Sequence, residues 1–230
     1  MYEILAKYYD QLVYDSQAID DYVQFVCQFL KREFKNGIDY GCGSGDITIG
    51  LSHFYPMVGV DLSGYMLEQL RLKDDTILTI EGDMQDVKLA QTFDFALCLC
   101  DSFNYLLTSE SVTNFFHNVF AHLNPGGIFI MDSHHLNRLD EFKEDWIEEG
   151  SLDDCDYQWA IHSEDNRVDQ HFAFYRKDGL IQEYHQQIVY DPDWIKAQLS
   201  QAGFKNIQIY YDMDSFDNEN REKYFFIGEK

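Results

Sequence analysis

The stretch Ile38-Asp39-Tyr40-Gly41-Cys42-Gly43-Ser44-Gly45-Asp46 sets three glycines at alternate positions between a short apolar strand and a helix start. Glycine lets the backbone turn sharply there and lets a ligand approach with no Cβ in the way. In an open parallel sheet, the carboxyl end of such a strand is where ligands bind. A dinucleotide fingerprint would need a glycine at 46, where this chain has Asp46. An acid on the first helical turn opposes a pyrophosphate, which argues against a nicotinamide oxidoreductase. Asp61 ends the next strand, 20 residues beyond Gly41, at the spacing of a carboxylate that accepts hydrogen bonds from ribose hydroxyls. A ribose without a phosphate on the glycine turn describes a nucleoside. Taken alone, the three glycines read equally well as a tight strand-to-helix turn.

Outward from the turn, strands and helices alternate. Strands are expected at 38–40, 57–60, 76–80, 93–100 and 126–131, with helices at 18–34, 46–53, 63–73 and 109–123. The order predicts a Rossmann-like α/β domain, a mostly parallel sheet with helices on both faces. The run 93–100 is nearly all apolar, as a strand buried on both faces must be. The pattern then changes to strands at 157–164, 168–176 and 181–190 separated by turn residues, an antiparallel β insertion spanning 155–190. Asp191-Pro192 opens a further helix ending at Gly203. Strands at 204–211 and 223–228 close the sheet, with 212–221 as an exposed hairpin loop and the last strand antiparallel. Residues 1–230 are thus expected to form one domain, with 1–35 as a helical cap.

The formal net charge of −24 repels phosphate backbones and anionic lipid, so no nucleic acid and no membrane is expected as a large-area partner. Five scattered cysteines without a CxxC pair read as free thiols of a cytoplasmic protein. Cys98 and Cys100 would share one face of a strand, a poor ligand geometry, and no metal site is expected. Charged residues interrupt the N-terminus too often for a signal peptide, and no apolar run is long enough to span a membrane.

The chain resembles the class I S-adenosylmethionine-dependent methyltransferases. Their first motif is matched by Asp39 to Gly45, the second by Gly59-Val60-Asp61-Leu62-Ser63, and the third by Gly82-Asp83-Met84. The fourth resembles Phe93-Asp94 with the segment Cys100 to Leu106, and the fifth Leu123-Asn124-Pro125-Gly126-Gly127. The resemblance implies S-adenosylmethionine as cofactor. Its methionine part would lie over Gly41, Cys42, Gly43 and Gly45. Its ribose would meet Asp61, and its adenine Leu62, Met84 and Asp83. The backbone near Leu99 and Cys100 would receive its ammonium. Tyr2, Tyr9 and Tyr22 resemble the N-terminal tyrosines of glycine and amino-sugar N-methyltransferases, in which an N-terminal helix covers the cofactor and a β insertion forms a lid.

A small-molecule acceptor is expected, at nitrogen more than oxygen, with an amine favoured, in a monomer or homodimer. Transfer of an activated methyl needs mainly positioning. His134, after strand five, is the candidate proton acceptor, and Tyr9 a candidate for facing the sulfonium with its ring or hydroxyl. Asp132 could instead hold an amine, and Asn104 and Tyr105 sit where a substrate would lie. His117, His122, His171 and His185 read as structural or exposed. A non-catalytic nucleoside-binding module, or a methyltransferase acting on protein or RNA, is the alternative.

Overall fold

The computed structural model describes residues 4–213 and 221–230. Tyr2 and most of the expected loop 212–221 lie outside them. The parallel strands β1 (Gly37–Tyr40), β2 (Met57–Asp61), β3 (Leu78–Glu81), β4 (Phe93–Cys98) and β5 (Leu123–His134) are joined at one edge by β10 (Lys205–Tyr211) and β11 (Lys223–Glu229). The seven strands run β10-β11-β5-β4-β1-β2-β3, and β11 pairs antiparallel with both neighbours. The chain order reverses between β1 and β4, and that switch point opens a crevice at the strands' carboxyl ends.

Alternation within the buried strands feeds two cores. Ala96 and Cys98 pack with Ile38 and Tyr40 against α5 (Ser109–His122) and α7 (Pro192–Ala202). Phe95 and Leu97 face the other way, onto α2 (Ser16–Cys27) and α3 (Asp46–Ser52). Helix starts follow their caps: Asp15 accepts from the N–H groups of Gln17 and Ala18, and Asp191 from Asp193 and Trp194 ahead of α7. Ser63 likewise caps α4 (Gly64–Lys73), and the short α6 (Asn137–Glu141) follows β5.

The structure corrects several boundaries. The helix expected over 18–34 ends at Cys27. Phe29 packs on Phe25 and Tyr210, and Phe34 on Phe95, so the chain turns under the sheet instead of continuing. Helix α1 (Leu5–Val13) carries its own helical stretch ahead of α2. The insertion is four-stranded, not three-stranded, since β6 (Trp146–Ser151) precedes β7 (Cys155–Glu164), β8 (Arg167–Arg176) and β9 (Gly179–Ile188). Residues of β6 alternate half-buried and exposed, with Trp146 packed edge-on against Trp159 of β7. The acidic pairs of this segment masked that period in the sequence. Cys98 and Cys100 do not share a strand face. β4 ends at Cys98, and Cys100 takes a left-handed φ of 54°, leaving Cys98 buried and Cys100 facing the crevice.

The insertion packs against α1. Tyr8 stacks on Phe174 at 4.9 Å, Leu5 joins the same cluster, and Lys7 pairs with Asp154. No helix among the described residues is long and apolar enough to cross a membrane.

Candidate cofactor and acceptor site

At the glycine turn, Gly41, Gly43 and Gly45 have φ of 72°, 54° and 87°, which L side chains rarely adopt. A Cβ on Gly45 would lie 2.3 Å from Leu70 Cγ, so helix α4 packs against bare backbone there. A Cβ on Gly43 would meet no protein atom within 4 Å. Space is therefore held open beside the turn on the crevice wall.

Asp61 at the end of β2 faces that space. Its Oδ2 accepts the Gly43 N–H at 2.9 Å and its Oδ1 the Ser63 N–H at 2.8 Å. Burial raises its pKa, and the N–H groups of Ser63, Gly43 and Leu62 oppose the rise. Each oxygen keeps a further lone pair, so the carboxylate can bind two more donors, as a vicinal diol supplies.

The cavity has a volume of about 260 Å³. The sequence-predicted Gly41, Cys42, Gly43, Gly45, Asp61, Leu62, Asp83, Met84, Leu99, Tyr9 and Tyr22 all line it. Asp83 is turned by its own loop, since its carboxylate accepts the Gln85 N–H at 2.9 Å and the Gln85 amide at 3.1 Å. Burial holds the Tyr9 and Tyr22 phenols well above their ordinary range. Tyr22 donates to Asp132 Oδ2 at 2.7 Å, which fixes its ring against the wall.

His134 is not among the lining residues. It is 6% exposed, with Nδ1 3.3 Å from Asp101 Oδ1 and Nε2 3.0 Å from Gln187 Oε1. Asn104, fully buried, also serves the loop: it donates to Ser133 and to the Ile188 carbonyl, and accepts the His134 N–H. Tyr105 of the same 3₁₀ turn (Ser102–Tyr105) does reach the cavity.

Two clusters escaped sequence reading. Asp10 of α1 accepts from Ser44 Oγ at 2.7 Å and pairs with Lys73 at 2.6 Å, and Lys73 also pairs with Asp46 at 2.8 Å. That bridge seats the cap on the glycine turn. Beneath the loop after β4, the buried Asp132 accepts the Cys100 N–H at 2.9 Å and the Asp101 N–H at 2.7 Å. Lys223 of β11 bridges Asp101 at 2.7 Å and Asp132 at 3.3 Å. Burial alone would lower the Lys223 pKa, but the two carboxylates carry it well above the usual range. Asp132 carried a sequence signal as the acid ending β5. Lys223 carried none, because its partners assemble only when β11 pairs with β5.

Comparison with known proteins completes this geometry. A family model described as a methyltransferase domain matches residues 38–127, the span from β1 into the first residues of β5. A protein of Geobacillus sp. (strain WCH70) named as a methyltransferase is 29% identical, covering 100% of this chain and 99% of its own. The solved S-adenosylmethionine-dependent methyltransferase of Clostridium acetobutylicum ATCC 824 superposes with a TM-score of 0.82 at 23% identity, covering 99% of this chain and 98% of that one. The chain carries a methyltransferase domain on the fold of the S-adenosylmethionine-dependent methyltransferases. A glycine/sarcosine N-methyltransferase of Aphanothece halophytica is 23% identical over 90% of this methyltransferase and 81% of its own length. The cofactor, S-adenosylmethionine, supplies a methyl group already activated on a sulfonium. The open space at Gly43 and the two-sided acceptor Asp61 fit its nucleoside.

Asp39 lies beneath the turn, 3% exposed, accepting from Thr48 Oγ1 at 2.6 Å. Burial pushes its pKa up to about 7, against the pull of Thr48. A folded-state pKa above that of the unfolded chain means the native form holds the extra proton. Its contribution to stability is complete below about pH 4 and is lost as pH rises through about 7. Asp39→Asn, which keeps an acceptor for Thr48, is expected to flatten the fall of the urea midpoint between pH 4 and 8. An unchanged slope in that variant would show that another group titrates.

Proposed function

We propose that this methyltransferase transfers the methyl group to the nitrogen of a small amine. The observation that carries the reading is the charge of the cavity wall. Asp15, Asp61 and Asp83 line it together with Asp46, which Lys73 pairs from outside the lining, and among the described residues no Lys, Arg or His lines it. Residues 1–3 and 214–220 contain no Lys, Arg or His either. An acceptor with a phosphate or carboxylate finds no cation on that wall, whereas an ammonium is drawn in. The named activity of the glycine/sarcosine relative is also N-methylation. The cap above the turn and the cavity volume of about 260 Å³ favour a small molecule over a polymer.

In this reading Gly41, Cys42, Gly43 and Gly45 carry the methionine part, Asp61 the ribose, and Leu62, Met84 and Asp83 the adenine. Leu99 and the backbone after it receive the ammonium. Tyr22 walls the methyl side, and Tyr9 closes it from the cap. His134 then acts through Asp101 and the loop rather than on the acceptor. The same reading places the protein in the cytoplasm as a monomer or homodimer, with no nucleic-acid partner.

The test is release of S-adenosylhomocysteine across a panel of amines, alcohols, amino acids, sugar phosphates, RNA and protein. Turnover on uncharged or cationic amines supports the proposal. Turnover confined to hydroxyls, anionic acceptors or polymers would overturn it.

A further inference from the structure

Strand β9 brings a histidine to the back of the acceptor side. His185 is 2% exposed, and its Nδ1 lies 3.4 Å from the Tyr105 hydroxyl, with the two rings edge to face. On its other side, Nε2 is 3.7 Å from Glu183 Oε1, an ion-pair distance. The second oxygen of Glu183 accepts the N–H groups of Ile4 and Leu5 at the start of α1. Tyr105 itself lines the cavity, as does Tyr9 of α1. A chain of polar groups thus runs from the cavity wall through the insertion to the first turn of the cap.

We propose that Tyr105 is the proton acceptor of the reaction, with His185 and Glu183 as the positioning pair behind it. The proposal rests on the amine reading above. An ammonium nitrogen has no lone pair until it gives up a proton. That proton passes to Tyr105 Oη as the phenolic proton passes to His185 Nδ1, leaving a neutral amine, a neutral phenol and an imidazolium. The imidazolium keeps its Nε2 proton facing the Glu183 carboxylate. A neutral phenol cannot by itself take up a proton in water, whereas it can pass its own proton to an imidazole nitrogen as the second one arrives. A buried imidazolium needs a counter-charge. Burial works against Glu183 in that role, but His185 and the N–H groups of Leu5 and Ile4 keep its pKa at about 2. Hydrogen bonds of catalytic groups are commonly long before the site fills.

Among the groups facing His185 are Tyr105 from the 3₁₀ turn, Glu183 on its own strand and the Phe172 ring from β8. Tyr105 in turn feels Tyr9 of α1. Because Glu183 also holds the start of α1, the proton acceptor and the cap are completed by the same carboxylate.

Two measurements decide it. The first is long-range ¹⁵N–¹H NMR of the full chain with S-adenosylhomocysteine, with His185 assigned by its loss in His185→Asn. The expected form at high pH carries its proton on Nε2, with the Nδ1 resonance moving in Tyr105→Phe. A proton on Nδ1 would make the histidine the donor and overturn the proposal. The second is kcat against pH for an amine that the wild type methylates. Tyr105→Phe and Glu183→Gln are expected to lower kcat about 100-fold and to move the acid limb, with KM for S-adenosylmethionine unchanged. An unmoved limb, or a loss confined to that KM, shows a structural role and overturns this inference alone. A wild type that methylates no amine overturns the amine reading as well.

Discussion

Asp61→Ala is expected to weaken S-adenosylmethionine binding by about 100- to 1,000-fold. The carboxylate sits where β2 ends, and both of its oxygens already hold backbone N–H groups, from Gly43 and Ser63. Its remaining lone pairs are the acceptors available for a ribose diol. A hydrogen bond to a charged group contributes roughly 1.5–3 kcal/mol, and two of them lost amount to about 3–4 kcal/mol after partial replacement by water. Each ~1.4 kcal/mol is tenfold in affinity. Removing the acid also strips the Gly43 N–H of its partner, and Gly43 is the residue beside which space is held open. Asp61→Asn is expected to do nearly as badly. An amide offers one acceptor oxygen, so its NH2 must face one of the two N–H donors. Calorimetric titration of both variants checks this, with thermal melting of the free proteins to separate binding from folding. A dissociation constant within threefold of wild type would remove Asp61 from the ribose.

The parts of this site legible in sequence are those built from neighbours in the chain. The glycine turn, Asp61 and Asp83 each follow a strand of the parallel sheet, so strand order alone brings them to one edge. Their residue types then report their local geometry: three positive φ angles for the glycines, and N–H acceptance for the acids. The parts that were not legible are pairs made across the fold. His185 read as a structural or exposed residue, because nothing near it in sequence resembles a site. Its partners are Tyr105, 80 residues away, and Glu183, which in turn binds the first turn of α1. Asp10 likewise meets Ser44 and Lys73 only once α1 docks on the glycine turn. His134 was drawn to the site by its place at the carboxyl end of β5, but the loop following β4 lies between it and the cavity. Asp101 takes a left-handed φ of 61° there and occupies the imidazole. Periodicity cannot foresee that, since it reads which face a residue takes and not what a loop inserts in front of it.

Lys223→Met is expected to cost about 3–5 kcal/mol of stability at pH 8, the range for breaking a buried ion pair from one side. Lys223 is the cation between Asp101 and Asp132, and Asp132 is fully buried. Without it, two carboxylates face one another, offset by His134 and Arg138 on the Asp101 side and by the hydrogen bonds that Asp132 accepts. The pH dependence then acquires a definite sign. In the wild type, burial would raise the Asp101 pKa, yet His134 and Lys223 hold it below the usual value. Its contribution is therefore present above the ordinary carboxyl range and lost as pH falls. Burial already raises the Asp132 pKa in the wild type, and in the variant both carboxyl pKa values rise further, so the folded form binds protons more readily than the unfolded chain and its stability is greater at low pH. The gap between wild type and variant should be widest near pH 8 and shrink toward pH 5. Neutralising one acid in the same protein, Lys223→Met with Asp101→Asn, should recover a large part of the loss at pH 8. Urea unfolding of the three proteins at both pH values measures all of this. Asp132 also fixes the Cys100 and Asp101 N–H groups that shape the cavity wall, so cofactor affinity should fall with stability and return with it in the double variant. A loss below about 1 kcal/mol at both pH values would show that the two acids share a proton and that Lys223 is not what holds the loop.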